Sequence, residues 1–245
     1  MDVELSQADA VYAHYLTHQQ DRARAKMMYG LLAARIRPIV TFRSRERLRR
    51  LVRSGAPVLI AANHVSEKDP LVLAAAGFRS PLRSRIGHLR VLAKDELFEE
   101  PEQRRKIDTL GGIPVFRTKD HGVRAAAEAG RQMIGVCVDR MAAGDSIAVF
   151  PEGTCNEGDP TQLQKLGTGI GHIGNRALRR GVGVWLVSAG IAYPDAGPRA
   201  RPVVVLGEPV DLDPFREETP AALTRSVQRD LQGVVDDAWT FSPRR

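Results

Sequence analysis

Along the first 36 residues the apolar positions fall three and four apart: Val11, Tyr12 and Tyr15, then Met27, Met28, Leu31, Leu32 and Ile36. That spacing predicts a helix over 6–36, ended by Pro38, whose ring cannot continue the helical hydrogen bonding. From residue 57 the pattern changes. Short apolar runs at 58–62, 90–93, 113–116, 146–150, 183–190 and 202–206 alternate with stretches of helical period at 71–76, 102–110, 121–142, 165–180 and 220–237. Strands and helices in alternation predict an α/β fold with a mixed, mainly parallel sheet covered by helices on both faces. Most runs are continuous rather than alternating, so the strands are expected inside the sheet with both faces covered. Residues 1–53 read as a basic, amphipathic helical N-terminal segment, 54–245 as the α/β domain, and 242–245 as a frayed end.

Composition narrows the class. With 245 residues and 43% hydrophobic content, the chain can bury a sizeable core and is not expected to be disordered. The apolar stretches 71–78 and 182–193 fall short of the roughly 20 residues that span a bilayer, so no transmembrane helix is expected. Two cysteines, Cys137 and Cys155, and an opening without the features of a secretory leader point to a reducing, cytoplasmic setting.

Charge adds a partner. Between Arg22 and Arg53 stand eleven basic residues against the single acid Glu46, a charge of +10 in a chain whose net charge is +7, which leaves −3 elsewhere. Such a segment attracts a polyanion, either an anionic membrane surface or nucleic acid. Aromatic residues, 5% of the chain and not interleaved with the basic ones in the manner that stacks bases, do not decide between the two. The expected partner is the membrane surface and no nucleic acid, with a basic nucleic-acid-binding protein as the non-enzymatic alternative. Arginines beside a methionine and leucine stripe suit a helix lying in a membrane interface, although a helix packed on its own domain has nearly the same pattern; on the interfacial reading the chain is expected peripherally on the cytoplasmic side of the cell membrane.

Two segments carry chemistry, both at the ends of predicted strands, where open α/β sheets place their sites. One reads Ala61-Ala62-Asn63-His64-Val65-Ser66-Glu67-Lys68-Asp69-Pro70; the other reads Val149-Phe150-Pro151-Glu152-Gly153-Thr154. On a straight helix, residues five apart diverge by about 140°, so a His64–Asp69 pair requires the histidine in the loop and the aspartate at the start of the next helix. Pro70, favoured in the first turn, suits Asp69 as the cap before it. An imidazole so held can take a proton from a hydroxyl while the carboxylate fixes its tautomer. No serine at an elbow motif accompanies the pair, which leaves a substrate hydroxyl as the nucleophile. The six histidines show no ligand cluster for a metal apart from the incidental pair His14 and His18.

Together, Asn63-His64-x4-Asp69 and Phe150-Pro151-Glu152-Gly153-Thr154 resemble the first and third signature blocks of the glycerolipid acyltransferases that include 1-acylglycerol-3-phosphate acyltransferases. Gly112-Ile113-Pro114-Val115-Phe116-Arg117 resembles the second block, Val91-Leu92-Ala93-Lys94-Asp95-Glu96-Leu97 the lysine-bearing strand, and Lys165-Leu166-Gly167-Thr168-Gly169 the segment after the third block. The resemblance implies His64 as general base, Asp69 as its partner, Arg117, Glu152, Gly153 and Thr154 as the lining of the acceptor's glycerol phosphate site, and Lys94 and Lys165 as further substrate-binding residues. It implies direct transfer of a fatty acyl group from acyl-CoA or acyl carrier protein to a lysophospholipid hydroxyl, giving phosphatidic acid without a cofactor. A lyso-ornithine lipid, another lysophospholipid or a specialised-metabolite alcohol or amine are the alternative acceptors. The chain departs from the family pattern at Cys155-Asn156, where arginine and serine are common, and at Ser188, where proline is usual after the aliphatic run. Cys155 is not expected to carry the acyl group, because an attacking substrate hydroxyl already accounts for His64.

Overall fold

The helical pattern of residues 6–36 resolves into two helices, α1 (Ala8–Thr17) and α2 (Arg22–Ile36), in the computed structural model, which describes residues 2–194 and 201–241. The expected fraying of 242–245 lies outside the described residues. The single helix breaks because both sides of the break are satisfied by side chains. Asp21 accepts hydrogen bonds from the N–H groups of Ala23 and Arg24 at 3.0 and 3.1 Å and so starts α2. Arg140 donates to the Leu16 carbonyl at 3.1 Å and Arg90 to the His18 carbonyl at 2.9 Å, which holds the end of α1. Both arginines are buried on Asp145. Burial alone would raise that carboxyl, but the two guanidinium groups outweigh it and hold it below the usual carboxylate range.

The chain continues through β1 (Ile39–Phe42), α3 (Arg45–Ser54), β2 (Val58–Ala62), α4 (Asp69–Phe78), a 3₁₀ turn at Pro81–Arg85, β3 (Leu89–Lys94), α5 (Pro101–Leu110) and β4 (Gly112–Val115). Then follow α6 (Thr118–His121), α7 (Val123–Ala142), β5 (Ser146–Val149), α8 (Gly169–Arg179), β6 (Trp185–Ala192), β7 (Val203–Leu206), β8 (Val210–Asp211) and α9 (Pro220–Thr240). The six expected strands and the helices after residue 57 are all present, with shifted ends. β1, α3, α6 and β8 lie outside the expected elements. β1 is four residues at a sheet edge, and β8 only two, too short for a period to show. In α3 the spacing of Leu48, Leu51 and Val52 is helical, but it sits inside the basic run and reads there as part of one long segment.

The strands form one sheet in the order β1-β7-β6-β2-β5-β3-β4, with β8 paired to β6. β6, β2, β5, β3 and β4 run parallel, and β7 and β1 run against them, which is the mixed, mainly parallel sheet expected. Pro114 sits in β4, an edge strand, where its missing N–H costs no ladder bond. Alternate side chains of the strands enter two cores. Leu59, Ile147, Leu186 and Val205 pack under α1, α7, α8 and α9, whereas Ile60, Ala148, Val187 and Val204 pack under α2, α3 and α4. The N-terminal residues therefore clamp both faces, and the register pairing Ile39 with Val203 puts β1 into the same sheet.

Candidate active site

The His64 loop begins where the β2–β6 ladder ends. Asn63, buried, replaces the next ladder step with its side chain: its Nδ2 donates to the Ile191 carbonyl at 2.9 Å, and its Oδ1 accepts from the Ile191 N–H at 2.7 Å. The chain can then leave the sheet with His64 at the carboxyl end of the strand. Asp69, 0% exposed, is the first residue of α4 rather than the cap before it. Its carboxylate is drawn back into the loop, because Oδ2 accepts from the Val65 N–H at 2.6 Å, the Ser66 N–H at 2.7 Å and the His64 Nδ1 at 3.1 Å. Tyr193, one residue beyond β6, donates to the other oxygen at 2.6 Å. Four donors thus pin a buried carboxylate, and with Nδ1–H turned to it, His64 presents Nε2 as the basic nitrogen.

The second segment supports the first from β5. Pro151 and Gly153 occupy a turn closed by the Gly153 N–H on the Phe150 carbonyl at 3.0 Å, and Gly153 has φ +74°, the left-handed conformation for which glycine is suited. Glu152 projects inward, and each oxygen is engaged: Oε1 accepts from the His64 N–H at 2.7 Å, and Oε2 from the Gln164 N–H at 2.9 Å. Burial pushes its carboxyl up, against the opposing pull of these N–H groups. The Asn156 N–H on the His64 carbonyl, 2.6 Å, completes the fastening of the histidine backbone. Gly153 and Thr154 lie exposed at the rim.

The imidazole lies against the Phe150 ring, with centroids 4.7 Å apart. Cys155 Sγ is 3.5 Å from Nε2 and 3.8 Å from Nδ1. Near-equal distances to the two ring nitrogens set the sulphur between them rather than in line with Nε2, so the thiol does not occupy the direction in which a base accepts a proton. Burial, followed by the charges of Asp69 and Glu67, pushes this thiol up.

Arg117 leaves β4 toward the same rim. Its Nη1 donates to the Gly153 carbonyl at 3.5 Å, its Nε to Asp120 at 2.7 Å, and its Nη2 lies 3.7 Å from Glu96. Glu96 also holds Lys94 at 3.2 Å, so the lysine is joined to Arg117 through a shared carboxylate. Lys165 is exposed and is brought to none of these groups among the described residues. Among the described residues, no group of three or more His, Cys, Asp or Glu side chains is placed to hold a metal ion.

A family model described as Acyltransferase matches residues 39–192, more than half of the chain. The chain belongs to the acyltransferase family. The match begins at β1 and ends at the last residue of β6, next to Tyr193. This acyltransferase is also 34% identical over 111 residues to a 1-acyl-sn-glycerol-3-phosphate acyltransferase of Borreliella burgdorferi, an alignment covering 45% of the chain and 38% of that relative.

Sequence reasoning missed Tyr193 and the inward role of Glu152. Tyr193 closes the apolar stretch 182–193, and only the adjacency of β6 to β2 reveals that it faces Asp69. For Cys155 the geometry predicts a blocking role. N-ethylmaleimide is expected to alkylate the part-exposed Cys155, crowd the adjacent His64 and abolish acyl transfer. Cys137 should be spared because it is fully buried, out of reach of the reagent, as intact-mass measurement will show. Cys155→Ala should resist the reagent and keep its rate within about threefold. A loss on the scale of His64→Ala would instead make the thiol a reactant.

Proposed function

We propose that this acyltransferase moves a fatty acyl group from an acyl-CoA or acyl carrier protein thioester to the free hydroxyl of 1-acylglycerol-3-phosphate, giving phosphatidic acid. The observation that carries this reading is the four-donor clamp on Asp69, which holds His64 with Nε2 basic at the carboxyl end of β2. In the reaction, Nε2 removes the acceptor hydroxyl proton as that oxygen attacks the thioester carbonyl. The imidazolium, steadied by Asp69, returns the proton to the departing thiolate. No metal or redox cofactor enters these steps. Mass spectrometry of products from purified protein, acyl-CoA or acyl carrier protein, and a panel of lysophosphatidate and other lysolipids tests the assignment. Failure to acylate any lysophospholipid would overturn it.

The acceptor phosphate is assigned to Arg117, at the rim beside Gly153. Arg117→Ala is expected to raise KM for lysophosphatidate by about tenfold or more, the loss of a charge-assisted contact, while KM for the donor stays within about twofold. One observation favours a phosphate-free acceptor such as a lyso-ornithine lipid: Arg117 is already paired with Asp120 and Glu96. Equal effects on both substrates would support that second reading.

A further inference from the structure

The rim around Arg117 is built from two segments that leave neighbouring strands. β3 ends at Lys94 and runs on into Asp95 and Glu96, while β4, paired with it, runs on into Phe116 and Arg117. Exposure alternates in the first segment: Lys94 and Glu96 stand at the surface, joined at 3.2 Å, whereas Asp95 between them is 5% exposed. In the second, Arg117 opens the single turn α6, since the Asp120 and His121 N–H groups both donate to its carbonyl at 3.1 Å. The proton transfers assigned to His64 use neither Asp95 nor His121.

These two side chains tie the segments together. His121 Nε2 donates to Asp95 Oδ2 at 2.5 Å, since a carboxylate only accepts. The other oxygen, Oδ1, is buried and has no partner among the described residues. A carboxylate sealed from water on one donor adds little net stability, because desolvation offsets the attraction. What such a pair supplies is direction. The imidazole is fixed on a second side as well: it meets the Phe116 ring edge-on, with centroids 5.5 Å apart, and the buried Phe116 meets Tyr12 of α1 in the same manner at 6.0 Å. Tyr12 in turn donates to the Pro114 carbonyl of β4 at 3.2 Å. Arg117 is therefore held on both sides, by the β3–β4 ladder before it and by His121 after it.

We propose that His121, held by Asp95, is a positioning residue that aims the Arg117 guanidinium across the rim and so sets the affinity for an acceptor bearing an anionic group. This rests on the reading of Arg117 as the contact for the acceptor phosphate. It gives that side chain a rigidity its own ion pairs do not: Asp120 lies within the same turn, and Glu96 is 3.7 Å away and half exposed. A guanidinium already fixed in one direction loses less freedom on binding a phosphate. The effect therefore falls on acceptor affinity and not on the chemistry at His64.

Steady-state kinetics with a water-soluble short-chain lysophosphatidate, beside equilibrium titration of the full chain with glycerol 3-phosphate, test this. His121→Ala is expected to raise acceptor KM and weaken glycerol 3-phosphate binding about fivefold or more, with kcat and donor KM kept within about twofold. His121→Gln, whose Nε2 can still donate to Asp95, should stay within about twofold of wild type on both readings. His121→Asn, whose NH₂ group stops short of Asp95, should behave like the alanine variant, and it decides the matter if that variant does not fold. Because His121 acts through Arg117, Arg117→Ala/His121→Ala should be no worse than Arg117→Ala alone. The proposal is overturned by an unchanged acceptor KM, by equal effects on both substrates, or by losses that multiply in the double variant. Unfolding of both His121→Ala and His121→Asn also overturns it, since the pair would then be a structural tie. A wild type that binds glycerol 3-phosphate but acylates no lysophosphatidate overturns the reaction assignment, and the titration alone then decides the positioning. A wild type that does neither overturns both.

Discussion

His64→Ala is expected to lower kcat by about 10²- to 10⁴-fold, the contribution of a positioned general base, with binding of both substrates largely kept. The imidazole supplies no structural contact that alanine would leave buried and charged, since Asp69 retains the Val65 and Ser66 N–H groups and the Tyr193 hydroxyl. Asp69→Asn separates the orienting role. The asparagine Oδ1 can still accept from the loop, but the amide cannot steady an imidazolium by charge, and its NH₂ group opposes donors on one side. Its loss should approach that of His64→Ala, and the double variant should be little worse than the worse single one, because the two residues act as a unit. Steady-state and single-turnover kinetics of the three variants check this. A His64→Ala enzyme keeping more than about a tenth of its rate, or losses that multiply, excludes the pair as base and orienter.

Glu152→Ala should both destabilise the protein and impair the chemistry. Its carboxylate accepts two backbone N–H bonds, from His64 and Gln164, and bonds to a charged group contribute roughly 1.5–3 kcal/mol each. Their removal should cost about 3 kcal/mol or more in urea unfolding. Freed from its anchor, the His64 backbone should drift, lowering kcat by at least about tenfold with little change in acceptor KM. Glu152→Gln should fall between, because one amide oxygen can serve only one of two donors placed on opposite carboxylate oxygens. A variant with unaltered stability and a raised acceptor KM would mean that Glu152 touches the glycerol phosphate, as the family resemblance implies.

Short-range patterns carried much of this protein. Apolar runs and helical spacings after residue 57 located six strands and their helices, and the order of motifs singled out His64, Asp69, Glu152 and Arg117 before any strand was placed. Such signals are legible because helix and strand periods and turn residues act within a few positions. Pro151 and Gly153 announce their turn in the same way.

What the residues then do was decided by strand order. Tyr193 meets Asp69 across 124 positions, and Glu152 meets the His64 N–H across 88, because β6 and β5 flank β2 in the sheet. The fastening of α1 by Arg90 and Arg140 breaks a helix that local spacing predicts as continuous. Packing of α2 against α4 likewise leaves Met27 and Leu31 of the stripe facing solvent and turns Ala25, Tyr29 and Ala33, which lie outside that stripe, inward. Local sequence determines which side chains are able to act as base, orienter or anchor. Only the tertiary structure brings their partners within hydrogen-bonding reach, because those partners arrive on strands whose adjacency is set by crossover connections and burial of the whole sheet.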